Sequence, residues 1–177
     1  MHDDKLIPLR GPDAVARAVR DIAADIDADA SGGDLLLIGV LKGAFIFFAD
    51  LVRALESPVT VDFVQLKSYG RGTRPGRLHL LKDIEAPLAG KRVIVVDDIV
   101  DTGRTARYLL ELFRKRGPLS CRICALLDKP SRREVDIKVD YRGFVVPDTF
   151  VVGYGLDADE RFRQMPGLYT LSLPDCP

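Results

Sequence analysis

The chain has 177 residues, 47% hydrophobic and 29% charged, with 26 Lys and Arg against 26 Asp and Glu. That length suits one domain, able to bury roughly 70% of its unfolded surface. A formal net charge of zero leaves no overall footprint for nucleic acid or a membrane surface, so any bound anion must be held by a local arrangement.

Residues 1–10 carry charges of both signs and no apolar signal core. Pro12 suits the first turn of a helix over 12–28, where Val15, Val19, Ile22 and Ile26 recur at helical spacing. Ser31, Gly32 and Gly33 break it. DLLLIGV (34–40) has the look of a buried parallel strand. Leu41, Lys42 and Gly43 form a tight loop, followed by an apolar helix over 44–55. The apolar stretch 35–52 is interrupted by Lys42 and Asp50, too polar to span a bilayer. The cytoplasm is the expected location. PVTVDFVQLK (58–67) alternates as a strand. SYGRGTRPGR (68–77) is a loop, because three glycines and a proline forbid regular structure. LHLLKDI (78–84), KRVIVVDD (91–98) and CRICALLD (121–128) read as strands, with a helix over 104–116 between the last two. Residues 135–155 are β-like with turns, and LYTLSL (168–173) adds a last strand. Strands alternating with helices predict an α/β fold with a mostly parallel twisted sheet, whose ligands bind at the carboxyl ends of the strands.

Cys121, Cys124 and Cys176 are an odd count, which argues against a disulfide framework. Cys121 and Cys124 form a CxxC, but it opens a strand, and residues three apart on a strand face opposite sides. With only His2 and His79 elsewhere, a second pair of zinc ligands is missing. The pair is expected to be structural.

The chemistry concentrates in VIVVDDIVDTGRT (93–105). An apolar strand delivers Asp97 and Asp98 to its end, followed by Asp101, Thr102, Gly103, Arg104 and Thr105 at a helix start. Free N–H groups and the helix dipole favour an anion there, Thr102 and Thr105 add hydroxyl donors, and Gly103 permits close approach. A lone DTG would be an ordinary helix cap, which needs one such residue rather than three carboxylates. Carboxylates beside a phosphate must serve something else: ribose hydroxyls and Mg²⁺ are the natural candidates.

This segment closely resembles the phosphoribosyl pyrophosphate (PRPP) motif of type I phosphoribosyltransferases, and its DTG form resembles the hypoxanthine-guanine branch. Further matches follow along the chain. Leu41, Lys42 and Gly43 look like that family's pyrophosphate loop, where a non-proline cis peptide is typical. Ser68 and Tyr69 look like the start of its lid. Asp128 and Lys129 look like its base-reading segment, and PDTFVVGYGLD (147–157) with ERFR (160–163) like its base- and metal-binding segment. Two positions depart from the pattern: Asp97 stands where the branch usually has Glu, and Ala158 where it often has Tyr.

The resemblance implies a single domain over 1–177, with a core roughly over 30–130. A small base-binding hood would come from the N-terminus and 131–177. Asp97 and Asp98 would hold ribose hydroxyls or a metal, and residues 101–105 the 5′-phosphate. Lys42, Gly43 and Arg163 would hold pyrophosphate, and Asp157 a second Mg²⁺. Lys129 would donate to the purine 6-oxo group, Phe150 would stack on the base, and the Val151 backbone would meet its Watson–Crick edge. Asp101 would be the proton-transfer residue. The implied partners are small-molecule substrates and further copies of the chain in a homodimer or homotetramer, with no nucleic acid and no membrane. The alternative is an RNA-binding attenuation regulator with uracil phosphoribosyltransferase activity, whose motif is similar but typically has Tyr at the place of Asp101.

Overall fold

The computed structural model describes residues 5–29, 33–69 and 77–172. The loop over 70–76, the side chains of Ser68 and Tyr69, Ser31, Gly32 and Cys176 lie outside the described residues. Nine strands and three α-helices follow in the order β1 (Lys5–Arg10), α1 (Pro12–Ala28), β2 (Leu35–Leu41), α2 (Phe45–Ala54), β3 (Val59–Tyr69), β4 (Arg77–Lys82), β5 (Arg92–Val100), α3 (Arg104–Arg114), β6 (Ser120–Asp128), β7 (Tyr141–Val145), β8 (Val151–Val152) and β9 (Leu168–Ser172) among the described residues. A short 3₁₀ turn, Pro130–Arg132, follows β6.

Six strands form one sheet in the order β4-β3-β2-β5-β6-β7. All neighbours are parallel except β3 and β4. Alternation along each central strand feeds two cores. Leu35, Leu37, Ile94, Val96, Cys124 and Leu126 face one side, under α1 and α2. Leu36, Ile38, Val93, Val95, Ile123 and Ala125 face the other, under Leu109, Leu110 and Phe113 of α3. Cys121 packs against this second cluster while Cys124 lies in the first, so the CxxC straddles the sheet. Both thiols are free.

The helix over 12–28 stands where its periodicity places it, with Pro12 in its first turn. The N-terminal strand is a feature that pattern reading does not reveal. KLIPLR contains a proline, which weakens any strand signal, and it is stabilised by distant pairing: β1 lies antiparallel to β9, and β9 to β8. These three strands make the second, smaller sheet. Val151, Tyr154, Leu156 and Leu168 attach it to the core beneath α1 and α2. The core takes in α1 and β7, on either side of the 30–130 segment.

Candidate active site at the carboxyl edge of the sheet

Because β2, β3, β5 and β6 are parallel, their carboxyl ends open on one edge, where doubly wound sheets bind ligands. Leu41 ends β2, Asp97 and Asp98 lie near the end of β5, and Lys129 directly follows β6.

Asp97 is 8% exposed although it ends an apolar run. Burial first, and the adjacent Asp98 second, hold its carboxyl well above the usual carboxylate range. Burial also raises Asp98, against the opposing pull of its hydrogen bonds and of the Arg163 charge. Asp97 Oδ1 accepts the Asp98 amide at 3.1 Å, and Asp98 Oδ1 accepts the Ile99 amide at 2.9 Å. A buried and a half-buried carboxylate stand side by side, and among the described residues neither forms an ion pair within 4 Å. Among the described residues no cluster of three or more His, Cys, Asp or Glu is placed to hold a metal. A pair of carboxylates suits Mg²⁺, which keeps several waters and takes its other ligands from substrate oxygens.

Past these acids the chain turns into α3. Gly103 caps the helix at φ 82°, and a Cβ there would fall 2.7 Å from Ile137 and 2.9 Å from Arg133. Asp97, Asp101, Thr102, Gly103 and Thr105 line a small cavity of about 80 Å³ at this turn. The turn is strapped from outside by the segment after Lys129. The Lys129 amide donates to Val100 O at 3.0 Å, and the Glu134 amide to Thr102 O at 3.0 Å. Arg133 donates to Asp101 O at 2.9 Å while pairing with the buried Asp128 carboxylate. Arg104 pairs with Glu134 at 2.6 Å. The Asp101 carboxylate meets Arg132 Nε at 3.2 Å, and Arg132 reaches on to Asp148 at 3.3 Å. Arg132 and Arg133 have no sequence signal of their own; only the tertiary fold brings them to Asp101.

Lys129 is 7% exposed, and its Nζ donates to Thr149 O at 2.6 Å. Thr149 Oγ1 is buried without a partner in the described structure. Phe150, beside it, is 53% exposed. Val151 pairs with Thr170 in the small sheet. An ammonium, an open aromatic ring and a strand backbone thus lie together on the hood.

The Leu41–Lys42 peptide is cis, as the resemblance implies. Gly43 sits where a Cβ would overlap the Asp98 carboxylate, and a Cβ on Gly155 (φ 101°) would overlap Gly43 O. The Lys42–Gly43 loop is therefore stacked between the acidic strand end and the hood. Lys42 Nζ pairs with Glu160 Oε1 at 3.1 Å. Arg163 pairs with Asp157 at 2.8 Å and Glu160 at 3.1 Å, and donates to Gly155 O at 2.8 Å. Lys42 first, then Arg163, hold the Glu160 carboxyl below its usual value. Sequence reading names Arg163 and Asp157 but leaves Glu160 without a role.

A family model described as the phosphoribosyl transferase domain matches residues 12–159. Over 166 residues the chain is 42% identical to the hypoxanthine-guanine phosphoribosyltransferase of Bacillus subtilis, covering 93% of this chain and 92% of that one. It is 41% identical over 167 residues to the bifunctional protein TilS/HprT of Listeria monocytogenes, which covers 94% of this chain; the chain spans only 26% of that larger relative. A solved structure of a hypoxanthine-guanine phosphoribosyltransferase from Bacillus anthracis, with HEPES in its active site, superposes with a TM-score of 0.91 at 41% identity, covering 96% of this chain and 100% of that one. The chain belongs to the phosphoribosyl transferase domain family, in its hypoxanthine-guanine branch.

Proposed function

We propose that the protein transfers ribose 5-phosphate from PRPP to N9 of a 6-oxopurine, hypoxanthine or guanine, forming IMP or GMP and releasing pyrophosphate, with Mg²⁺ as cofactor. The observation that carries this reading is the meeting, on one sheet edge, of the adjacent Asp97 and Asp98 carboxylates, the first of them buried, a phosphate-sized turn and a buried lysine aimed at the hood.

In this reading the Thr102–Thr105 turn binds the 5′-phosphate, and Asp97 and Asp98 hold the ribose hydroxyls. Lys42, Gly43 and Arg163 orient the pyrophosphate, while Lys129 donates to the 6-oxo oxygen of a base stacked on Phe150. The N9–C1′ bond forms as the bond from C1′ to pyrophosphate breaks, through an oxocarbenium-like centre. The proton lost by the base goes to Asp101 near N7. One Mg²⁺ would be held at Asp97 and Asp98 and a second at Asp157, each with substrate oxygens, and they would neutralise charge on the departing pyrophosphate. The lid that the family likeness implies from Ser68 and Tyr69 onward would exclude water.

Adenine presents an amino donor where Lys129 also offers only donors, so it should be rejected strongly. The test is pyrophosphate release with PRPP and each of hypoxanthine, guanine, xanthine, adenine and uracil. Turnover of the 6-oxopurines alone supports the reading, and efficient use of adenine or uracil sinks it. A cytoplasmic homodimer or homotetramer belongs to the same reading and rests on the family likeness. In the described residues no helix is long and apolar enough to cross a membrane. The uracil-using RNA regulator is not favoured, since the Bacillus relatives above carry hypoxanthine-guanine names.

A further inference from the structure

The two cations assigned above to pyrophosphate already hold an anion. Glu160 Oε1 accepts from Lys42 Nζ at 3.1 Å, and Glu160 Oε2 accepts from Arg163 Nη2 at 3.1 Å and from Arg163 Nε at 3.4 Å. One carboxylate thus bridges both cations, one oxygen to each, as two oxygens of a ligand would. Its backbone is pinned as well: the Glu160 amide donates to Asp157 Oδ2 at 2.9 Å. The turn that presents it has Asp159, Glu160 and Phe162 at φ 51°, 61° and 75°, a region non-glycine residues seldom adopt. Glycine would fit that turn more easily, but would leave Lys42 and Arg163 without their shared partner.

We propose that Glu160 is an internal anion standing in for pyrophosphate in the unliganded protein, and that its displacement sets both the affinity and the selectivity of that position. The proposal rests on the reading of Lys42 and Arg163 as the pyrophosphate-holding pair. Both side chains of the Lys42–Glu160 pair are largely solvent-exposed, so the bridge is weak and can open. Being tethered, however, the carboxylate is present at high effective concentration. A single phosphate, which satisfies one cation well, competes poorly with it. A diphosphate meets both cations at once with more charge, and displaces it.

The experiment is calorimetric titration of the full chain, wild type and Glu160→Gln, with inorganic pyrophosphate at fixed Mg²⁺ and separately with IMP. Gln keeps the shape and removes the competing charge. We expect pyrophosphate to bind the variant about three- to tenfold more tightly, the scale of one or two exposed ion pairs, while IMP affinity stays within about twofold. With IMP already filling the nucleotide site, orthophosphate should bind the variant at concentrations where the wild type takes up none. Glu160→Asp, which keeps the charge with a shorter reach, should fall between the two. A merely structural Glu160 would shift both ligands together or neither. Unchanged or weaker pyrophosphate binding in Glu160→Gln overturns the proposal. A wild type that binds IMP but no pyrophosphate instead removes the assignment of Lys42 and Arg163, and this proposal with it.

Discussion

The site is built from two turns of opposite character. The turn after β5 is held by its place in the sheet: β5 pairs with β2 on one side and β6 on the other, and residues 129–134 strap the turn from outside. The hood turn over 153–163 has only two isolated bridges, Gly153 with Leu156 and Ala158 with Arg161. Its buried start is anchored by the Tyr154 and Gly155 amides, which donate to Met165 O and Arg163 O, whereas the outer part that carries Glu160 is held by ion pairs, of which that with Lys42 is exposed on both sides. Buried hydrogen-bonded groups resist rearrangement, whereas exposed pairs are each worth little and exchange partners readily. The parts proposed to face ribose and 5′-phosphate are thus preorganised, and the part proposed to face the leaving group is adjustable.

The sharpest way to break the comparison is at Asp101, on the rigid side. Asp101→Asn keeps the side chain's size and its polar contact with Arg132 but cannot accept a proton at neutral pH. It should keep PRPP affinity and Tm while lowering kcat by ~10²-fold or more, the scale of a lost general base. A fall of less than about threefold would make Asp101 a positioning residue only. Lys129 lies between the two turns, anchored by its amide to Val100 and by its ammonium to Thr149. Lys129→Met should raise KM for hypoxanthine by about 10- to 100-fold, as for loss of a charged hydrogen bond, and move KM for PRPP far less. An equal rise in both constants would show that Lys129 serves the strap rather than the base.

A smaller effect concerns what the rigid side costs in stability. Asp97→Asn should abolish Mg²⁺-dependent PRPP binding but stabilise the ligand-free protein by about 1–2 kcal/mol, or about 2–8 °C in Tm at neutral pH, because a buried carboxylate beside another is relieved. Asp97 has a raised folded-state pKa. Such a group contributes stability that is present below its unfolded pKa and lost as pH rises through the folded one. The advantage of Asn should therefore be present at neutral pH and fade toward about pH 4, near the unfolded value. Thermal melts across that range check it, and an advantage that grows with acid contradicts it.

The smallest effect is expected away from both turns. Burial pushes the Cys121 thiol up to about 11, and raises Cys124 further. Neither forms appreciable thiolate at neutral pH. The peptide carrying them should resist alkylation until the protein is unfolded, and the double Ser variant should keep its activity per molecule. One zinc per chain in metal analysis would contradict the structural role.

The two turns also differ in how far the sequence discloses them. Asp97 to Thr105 are contiguous, their apolar lead-in announces a strand, and the helix start follows from residue types alone. Strands and helices from Pro12 to Ser172 largely follow their periodicities for the same reason: local pattern and tertiary packing agree. Glu160, Arg132 and Arg133 are different. Each is a charged residue in a polar stretch, and its role depends on a partner far along the chain, Lys42 for Glu160 and Asp101 for the two arginines. β1 is hidden likewise, its proline masking a pairing that only β9 completes.

That pairing of β1 with β9 also sets an order in time. During synthesis β1 emerges before β9 and cannot form this pairing until residues 168–172 leave the ribosome. The strands from β2 to β7, with the acids and the turn proposed to take the 5′-phosphate, have all emerged by then. A nascent chain therefore carries the strands proposed to face phosphate before the small sheet proposed to face the base can close. β1, an edge strand, must wait for β9, and Pro8 within it lowers the risk that it pairs with the wrong chain meanwhile.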